Sequence, residues 1–442
     1  MTLVRAAVAI LSIALGACTY GGPAPSTDPA AGSPASASPP IVSQATAAAD
    51  PSSVARGAVL FERYECARCH ARQGMPLASS SSSCTGCHRA IHDGTFVREG
   101  LGAEALTRFR EDVRHYLEIP SLDALDGWVE RAWIARFLLR PHDLRPRLDE
   151  TMPALPLTDA EARDLAALLA PSAIDDVLAI DVAATYGAVT READDVTTAP
   201  IDVLAIDEAA IARGRAHAER LGCPSCHAFG ALWPAPAQGP RAAPDLAFAR
   251  ERLVPSALVR FLLDPSARSP GTVMPRVVTD VATARELAAF LLRAPLPELL
   301  NTAPATAPSF ERLPLLDRPV MFDEVEARVL RRSCWHCHSD ASLTYGDGGP
   351  GNTGGLGFAP REIDLSSYTH LMAGALDREG QRGSLFREVE GAPLLLRALL
   401  ARRDEERGVI DPEVRGQPLG LRPLDAEQIQ LVESWIAQGR PR

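Results

Sequence analysis

Eight of the nine cysteines in this 442-residue chain stand in four copies of one pattern, Cys-x-x-Cys-His. The copies are Cys66-x-x-Cys69-His70, Cys84-x-x-Cys87-His88, Cys223-x-x-Cys226-His227 and Cys334-x-x-Cys337-His338. The spacing reads as covalent attachment of c-type haem. One helical turn brings both thiols to one edge, where each forms a thioether to the macrocycle. The histidine that follows turns its imidazole onto the iron. Zinc sites and redox dithiols share a lone Cys-x-x-Cys. Four copies, each followed by His, favour haem over zinc or disulfides. The expectation is four covalent c-type haems, with His70, His88, His227 and His338 as proximal ligands, and a chain folded around four large apolar plates.

The N-terminus carries one charge, Arg5, and then an apolar run from Ala6 to Leu15. That run is far short of the ~20 residues of a membrane span and reads as a signal-peptide core over residues 1–17. Leu15-Gly16-Ala17-Cys18 resembles the bacterial lipobox, which implies lipidation of Cys18 after cleavage. The alternative is ordinary secretion, with Cys18 discarded or unpaired. By resemblance to sorting in bacteria with two membranes, Thr19 favours the outer membrane, with the chain lipid-anchored and facing the periplasm. Residues 18–51 are mostly Pro, Ala, Ser and Gly, too poor in large apolar side chains to fold, and are expected to form a disordered tether.

Aromatic residues make up only 5% of the chain, which is low for a large core unless haem supplies apolar bulk. The formal charge of −11 argues against nucleic acid and for basic or mixed redox protein partners. No lysine is present, so lysine is excluded as nucleophile, base or ligand.

Two segments repeat. Ala55-Arg56-Gly57 stands as far before Cys66 as Ala212-Arg213-Gly214 before Cys223. Arg136-Phe137-Leu138-Leu139 matches Arg260-Phe261-Leu262-Leu263. A Met-Pro pair follows in each, Met152-Pro153 and Met274-Pro275, and then an amphipathic helix. Thr158 and Glu161 form a capping box for the first of these helices, whose apolar face includes Leu165, Leu168 and Leu169. Leu287, Phe290 and Leu291 line the second. On these residues the chain resembles the class I cytochrome c domain. The resemblance implies an N-terminal helix leading into the haem motif, a methionine from a loop as sixth ligand and a closing C-terminal helix. It also implies a small residue where the first and last helices cross, a place that Gly57 and Gly214 fit.

The expected fold is all-α, with three cytochrome c-like helical domains in tandem joined by acidic and Pro-rich linkers. Residues 52–171 form a dihaem domain, whose insertion carries Cys84 and a helix near 103–117. Residues 172–206 form an acidic linker, with Val177–Ile180 and Val203–Ile206 as possible short strands. Residues 207–295 form a monohaem domain, 296–320 a Pro-rich linker and 321–442 a divergent monohaem domain. In the last, Val325 replaces the glycine and a Gly-rich loop spans Gly346 to Gly357. Ile363-Asp364-Leu365-Ser366-Ser367-Tyr368 resembles domains of planctomycete-type cytochromes. Asp425 and Gln428 cap a terminal helix with Ile429, Val432, Trp435 and Ile436 on its apolar stripe, and Gly439 ends it.

The same resemblance assigns Met152 opposite His70 and Met274 opposite His227, and a thioether ligand raises the potential. For the second haem, His115 on the inserted helix comes first as sixth ligand, then His142 and Met75; His92 lies on the same face as His88. In the last domain, Gln417-Pro418 stands where similar domains have Met-Pro. His370, Met372 and Met321 are the substitutes, or the iron is open; His336 cannot easily reach the far side of its own haem. Electron transfer is the leading function, with no catalytic residue assigned. A peroxidase-like enzyme with an open haem at Cys334/Cys337, using Glu388, Glu390 or His370 as acid/base, is one alternative. A cytochrome subunit of a membrane oxidoreductase complex is another.

Overall fold

Asp50 caps the first helix: its carboxylate accepts from the Ser52 amide, and Pro51 opens helix α1 (Pro51–Arg63) with a φ already suited to the first turn. The computed structural model describes residues 47–78, 83–97, 107, 110, 113–114, 117, 119–123, 125–148, 151–173, 207–238, 240–269, 271–296, 312–339, 362–377, 379–389, 391–407, 409, 411 and 414–442. Over these the chain is mostly helical. Cys18, the tether up to residue 46, most of the 103–117 helix, the strands at 177–180 and 203–206 and the Gly-rich stretch lie outside the described residues.

After α1 come α2 (Cys84–Asp93), α3 (Arg131–Leu139) and α4 (Asp159–Leu169). The second repeat supplies α5 (Glu208–Arg220), α6 (Pro255–Leu263) and α7 (Val281–Arg293). The Thr158–Glu161 capping box forms as expected, and Asp207 and Asp280 cap α5 and α7. In each repeat the first helix crosses the last, α1 on α4 and α5 on α7, while α3 packs on α4 and α6 on α7.

Glycine makes both crossings possible. A Cβ on Gly57 would run into the Asp164 carbonyl and Leu168; one on Gly214 would run into the Glu286 carbonyl and Phe290. The arginine before each glycine closes the crossing from outside. Arg56 pairs with Asp164 at 2.7 Å and Arg213 with Glu286 at 2.6 Å.

The two repeats share one apolar core. Phe61, Leu157 and Leu165 from the first belong to the same cluster as Phe229, Leu287 and Phe290 from the second. They meet about a local pseudo-twofold axis. In the register that aligns Arg136 with Arg260, Val129 is the counterpart of Leu253, and the two form an antiparallel bridge with each other. The Glu130 amide donates to the Arg252 carbonyl at 2.8 Å, and the counterpart Val254 amide to the counterpart Trp128 carbonyl at 3.0 Å. Trp128 also lies against Phe261 (5.2 Å between ring centres). A patch that pairs with its own copy is how an isologous dimer interface is built; here both halves lie on one chain.

The last region has its own core. It starts with α8 (Phe322–Val325), which continues as a π-helix over Glu326–Cys334. Next come α9 (Tyr368–Ala373), α10 (Leu394–Glu405) and α11 (Ala426–Ala437). The Asp425–Gln428 capping box is present, and Gly439 follows the helix at φ +85°. Trp435, Phe322, Phe386, Leu371 and Leu330 fill this core. Val325 is buried in it.

Two small antiparallel hairpins qualify the all-α expectation. β1 (Ala375–Leu376) pairs with β2 (Arg382–Gly383), and β3 (Glu388–Val389) with β4 (Ala392–Pro393). Their turns use Gly380 and Gly391 at φ +74° and +80°, backbone that glycine adopts freely. Two-residue strands are too short to leave an alternating pattern in a sequence. Among the described residues no helix is long and apolar enough to cross a membrane.

Candidate haem-attachment sites

The first and third motifs are built alike. Each begins after a residue in the left-handed region, Glu65 (φ 52°) or Gly222 (φ 79°). A single 3-10 turn follows, Cys66–Arg68 or Cys223–Ser225. The amide of the histidine then donates to the carbonyl of the first cysteine, at 2.9 Å for His70 and 3.0 Å for His227. This holds both thiols and the imidazole on one short turn.

The imidazoles are oriented identically. His70 Nδ1 lies 2.8 Å from the Pro120 carbonyl, and His227 Nδ1 lies 2.9 Å from the Pro244 carbonyl. A carbonyl only accepts, so Nδ1 carries the proton and Nε2 keeps its lone pair, as a metal-binding imidazole requires. Burial lowers the pKa of both rings, more than the carbonyls and Asp245 raise it, which favours the neutral form. Arg72, two residues after His70, donates to the Leu168 carbonyl at 2.7 Å and ties the motif to α4. Met152 and Met274 are both half-buried against the shared core.

The second motif rides on α2, a regular helix capped by Ser83, whose hydroxyl accepts from the Gly86 amide at 3.0 Å. His88 is buried on it. Burial, then the nearby His336, pushes the His88 pKa down to about 3.

The fourth motif ends the π-helix. The His338 amide donates to the Cys334 carbonyl at 2.9 Å. Trp335 is locked by its indole N–H on the Leu365 carbonyl at 2.9 Å. Burial pushes the Cys334 and Cys337 thiols up to about 12 and the His338 imidazole down to about 4. Burial favours the neutral thiol over the thiolate here. A thioether carries no charge and suits such a site. The same holds at Cys66, pushed up to about 11 by burial. Among the described residues no three His, Cys, Asp or Glu side chains converge on a metal position.

Three of the motifs come together. The Cys69 thiol hydrogen-bonds Cys84, which raises Cys69 and lowers Cys84. Cys337 of the fourth motif lies close enough for Cys84 to raise its pKa, and it raises that of Cys69 in turn. The His88 and His336 rings have centres 6.1 Å apart and planes at 29°.

The expected sixth ligands of the second and fourth motifs fare differently. His115 lies outside the described residues. His92 is exposed and contacts Asp93 at 3.0 Å. His142 sits between Phe137 and Phe248, with ring centres at 5.4 and 5.3 Å. Met75 packs on the first core. His370 is exposed on α9 and pairs with Asp364 at 2.6 Å. Met321 and Met372 are exposed by 45% and 37%. Gln417 is held by its amide on the Ala398 carbonyl at 2.9 Å. Glu388 is exposed on β3, and Glu390 lies outside the described residues.

Sequence reasoning missed Pro120 and Pro244, although they align in the register of Arg136 and Arg260. It also missed the approach of His336 to His88, for which no local signal exists. No protein-family model, no curated protein and no solved structure matches this chain.

Proposed function

We propose that the chain is a tetrahaem c-type cytochrome that carries electrons between redox proteins outside the cytoplasm. The supporting observation is the matched pair His70–Pro120 and His227–Pro244: two Cys-x-x-Cys-His turns, far apart in sequence, hold their imidazoles in the same ligand-ready state. Haem, when bound, supplies one-electron exchange at iron.

The chain's own residues then have defined tasks. Cys66/Cys69, Cys84/Cys87, Cys223/Cys226 and Cys334/Cys337 form the thioethers. His70, His88, His227 and His338 are proximal ligands, and Met152 and Met274 complete the first and third sites. The Pro120 and Pro244 carbonyls fix the tautomers and orient the rings. Class I cytochrome c-like domains, three in tandem, are the proposed architecture. Cys18 is the proposed lipid anchor at the outer membrane, and the acidic surface (net −11) is proposed to steer basic or mixed partners.

Potentiometric titration of the exported protein with low-temperature EPR tests this reading. Met152→Ala and Met274→Ala should each remove one His/Met centre and lower one midpoint potential. Persistence of both His/Met signals in the double variant contradicts the assignment.

A further inference from the structure

The second motif lacks an assigned partner opposite His88. Among the described residues, the histidine that faces His88 comes from the fourth motif: His336, with ring centres 6.1 Å apart and planes at 29°. Flat ring contact places planes about 3.5–4.0 Å apart. An imidazole nitrogen binds a metal at about 2.0 Å, and the centre of a five-membered ring with bonds of about 1.35 Å lies about 1.15 Å from each atom. Two imidazoles on opposite sides of one iron therefore have ring centres about 6.3 Å apart.

We propose that His336 is the sixth ligand of the iron held at the second motif, opposite His88. The packing of the fourth motif brings it there. The loop geometry that keeps His336 from its own haem leaves it pointing to a neighbour's. The other described candidates are engaged elsewhere: His92 is exposed beside Asp93, and His142 is enclosed by Phe137 and Phe248.

The assignment rests on the haem reading above and deepens it. His336 and His338 are separated only by Cys337, so a three-residue stretch ligates one iron and holds the next. The second and fourth centres then form a directly linked pair, and the Cys69–Cys84 contact places the first centre beside them.

The test uses the exported, haem-loaded full chain with His336→Ala. Haem content by pyridine haemochrome should stay at four per chain. One bis-histidine low-spin EPR signal should be replaced by a high-spin signal, and added imidazole should restore it. His336→Met should keep the haem content and raise one midpoint potential, because a thioether favours the reduced iron. The assignment is overturned if His336→Ala keeps every low-spin signal, if His336→Met leaves every potential unchanged, or if His115→Ala removes the bis-histidine signal instead. A wild-type chain without haem would defeat the underlying reading, and the haem assay reports that separately.

Discussion

The first two repeats and the last region put the same motif into different frames. In the repeats a glycine lets the first helix cross the last at backbone contact, and a proline carbonyl accepts from the imidazole of the motif histidine. In the last region a buried valine, Val325, stands in the glycine's place, and the helix that leads into the motif is wound as a π-helix. There His338 lies beside the Ile363 backbone instead of a proline carbonyl. The motif is thus separable from its scaffold. Five residues set the chemistry, while the crossing residue decides how close the flanking helices come.

Exchanging the crossing residues gives the largest expected effect. Gly57→Ala and Gly214→Ala put a Cβ into a backbone carbonyl that cannot move aside, so each should cost about 3 kcal/mol or more, at the upper end of overpacking. Val325→Ala removes buried apolar volume without a clash and should cost about 1–2 kcal/mol. Chemical denaturation with unchanged m-values measures both. Equal costs at all three positions would mean that the last region closes on a crossing as tight as the repeats do.

Acid sensitivity is a smaller difference. The Arg56 guanidinium holds the Asp164 carboxyl below the usual carboxylate range, and Arg213, then His217, do the same for Glu286. A depressed carboxylate contributes stability that is complete above its unfolded-state value, about 4, and is lost as pH falls through the lowered one. These pairs are exposed, so the contribution is modest. Arg56→Gln with Arg213→Gln should lower stability modestly above pH ~5, where the contribution is complete, and the difference from the parent chain should shrink as pH falls through the lowered carboxylate values, which flattens the acid limb. A loss that persists undiminished in acid would contradict this.

Much of the repeat was legible in the sequence because its determinants are local. Thr158–Glu161 and Asp425–Gln428 are three residues apart, and both capping boxes form. Leu165, Leu287, Phe290, Val432 and Trp435 follow the helical period, and all are buried. The glycine crossings were legible through the family resemblance. Contacts between distant segments were not. Val129 and Leu253 carry nothing that announces a bridge, and it took the fold to show that each pairs with its own counterpart. The hairpins of the last region were too short to leave a period. His336 has no local signal beyond its own motif; the ring it approaches, His88, lies in another part of the sequence.

The central claim is that the four motifs are haem sites, and the Cys69–Cys84 contact defines its sharpest competitor, a disulfide between two motifs. Intact-mass spectrometry of the exported chain, with peptide mapping of the cysteines, decides between them. The account predicts a mass increased by four haems and all eight motif cysteines found as thioethers. A chain without added haem, with titratable thiols at the motifs or a Cys69–Cys84 disulfide, would contradict it.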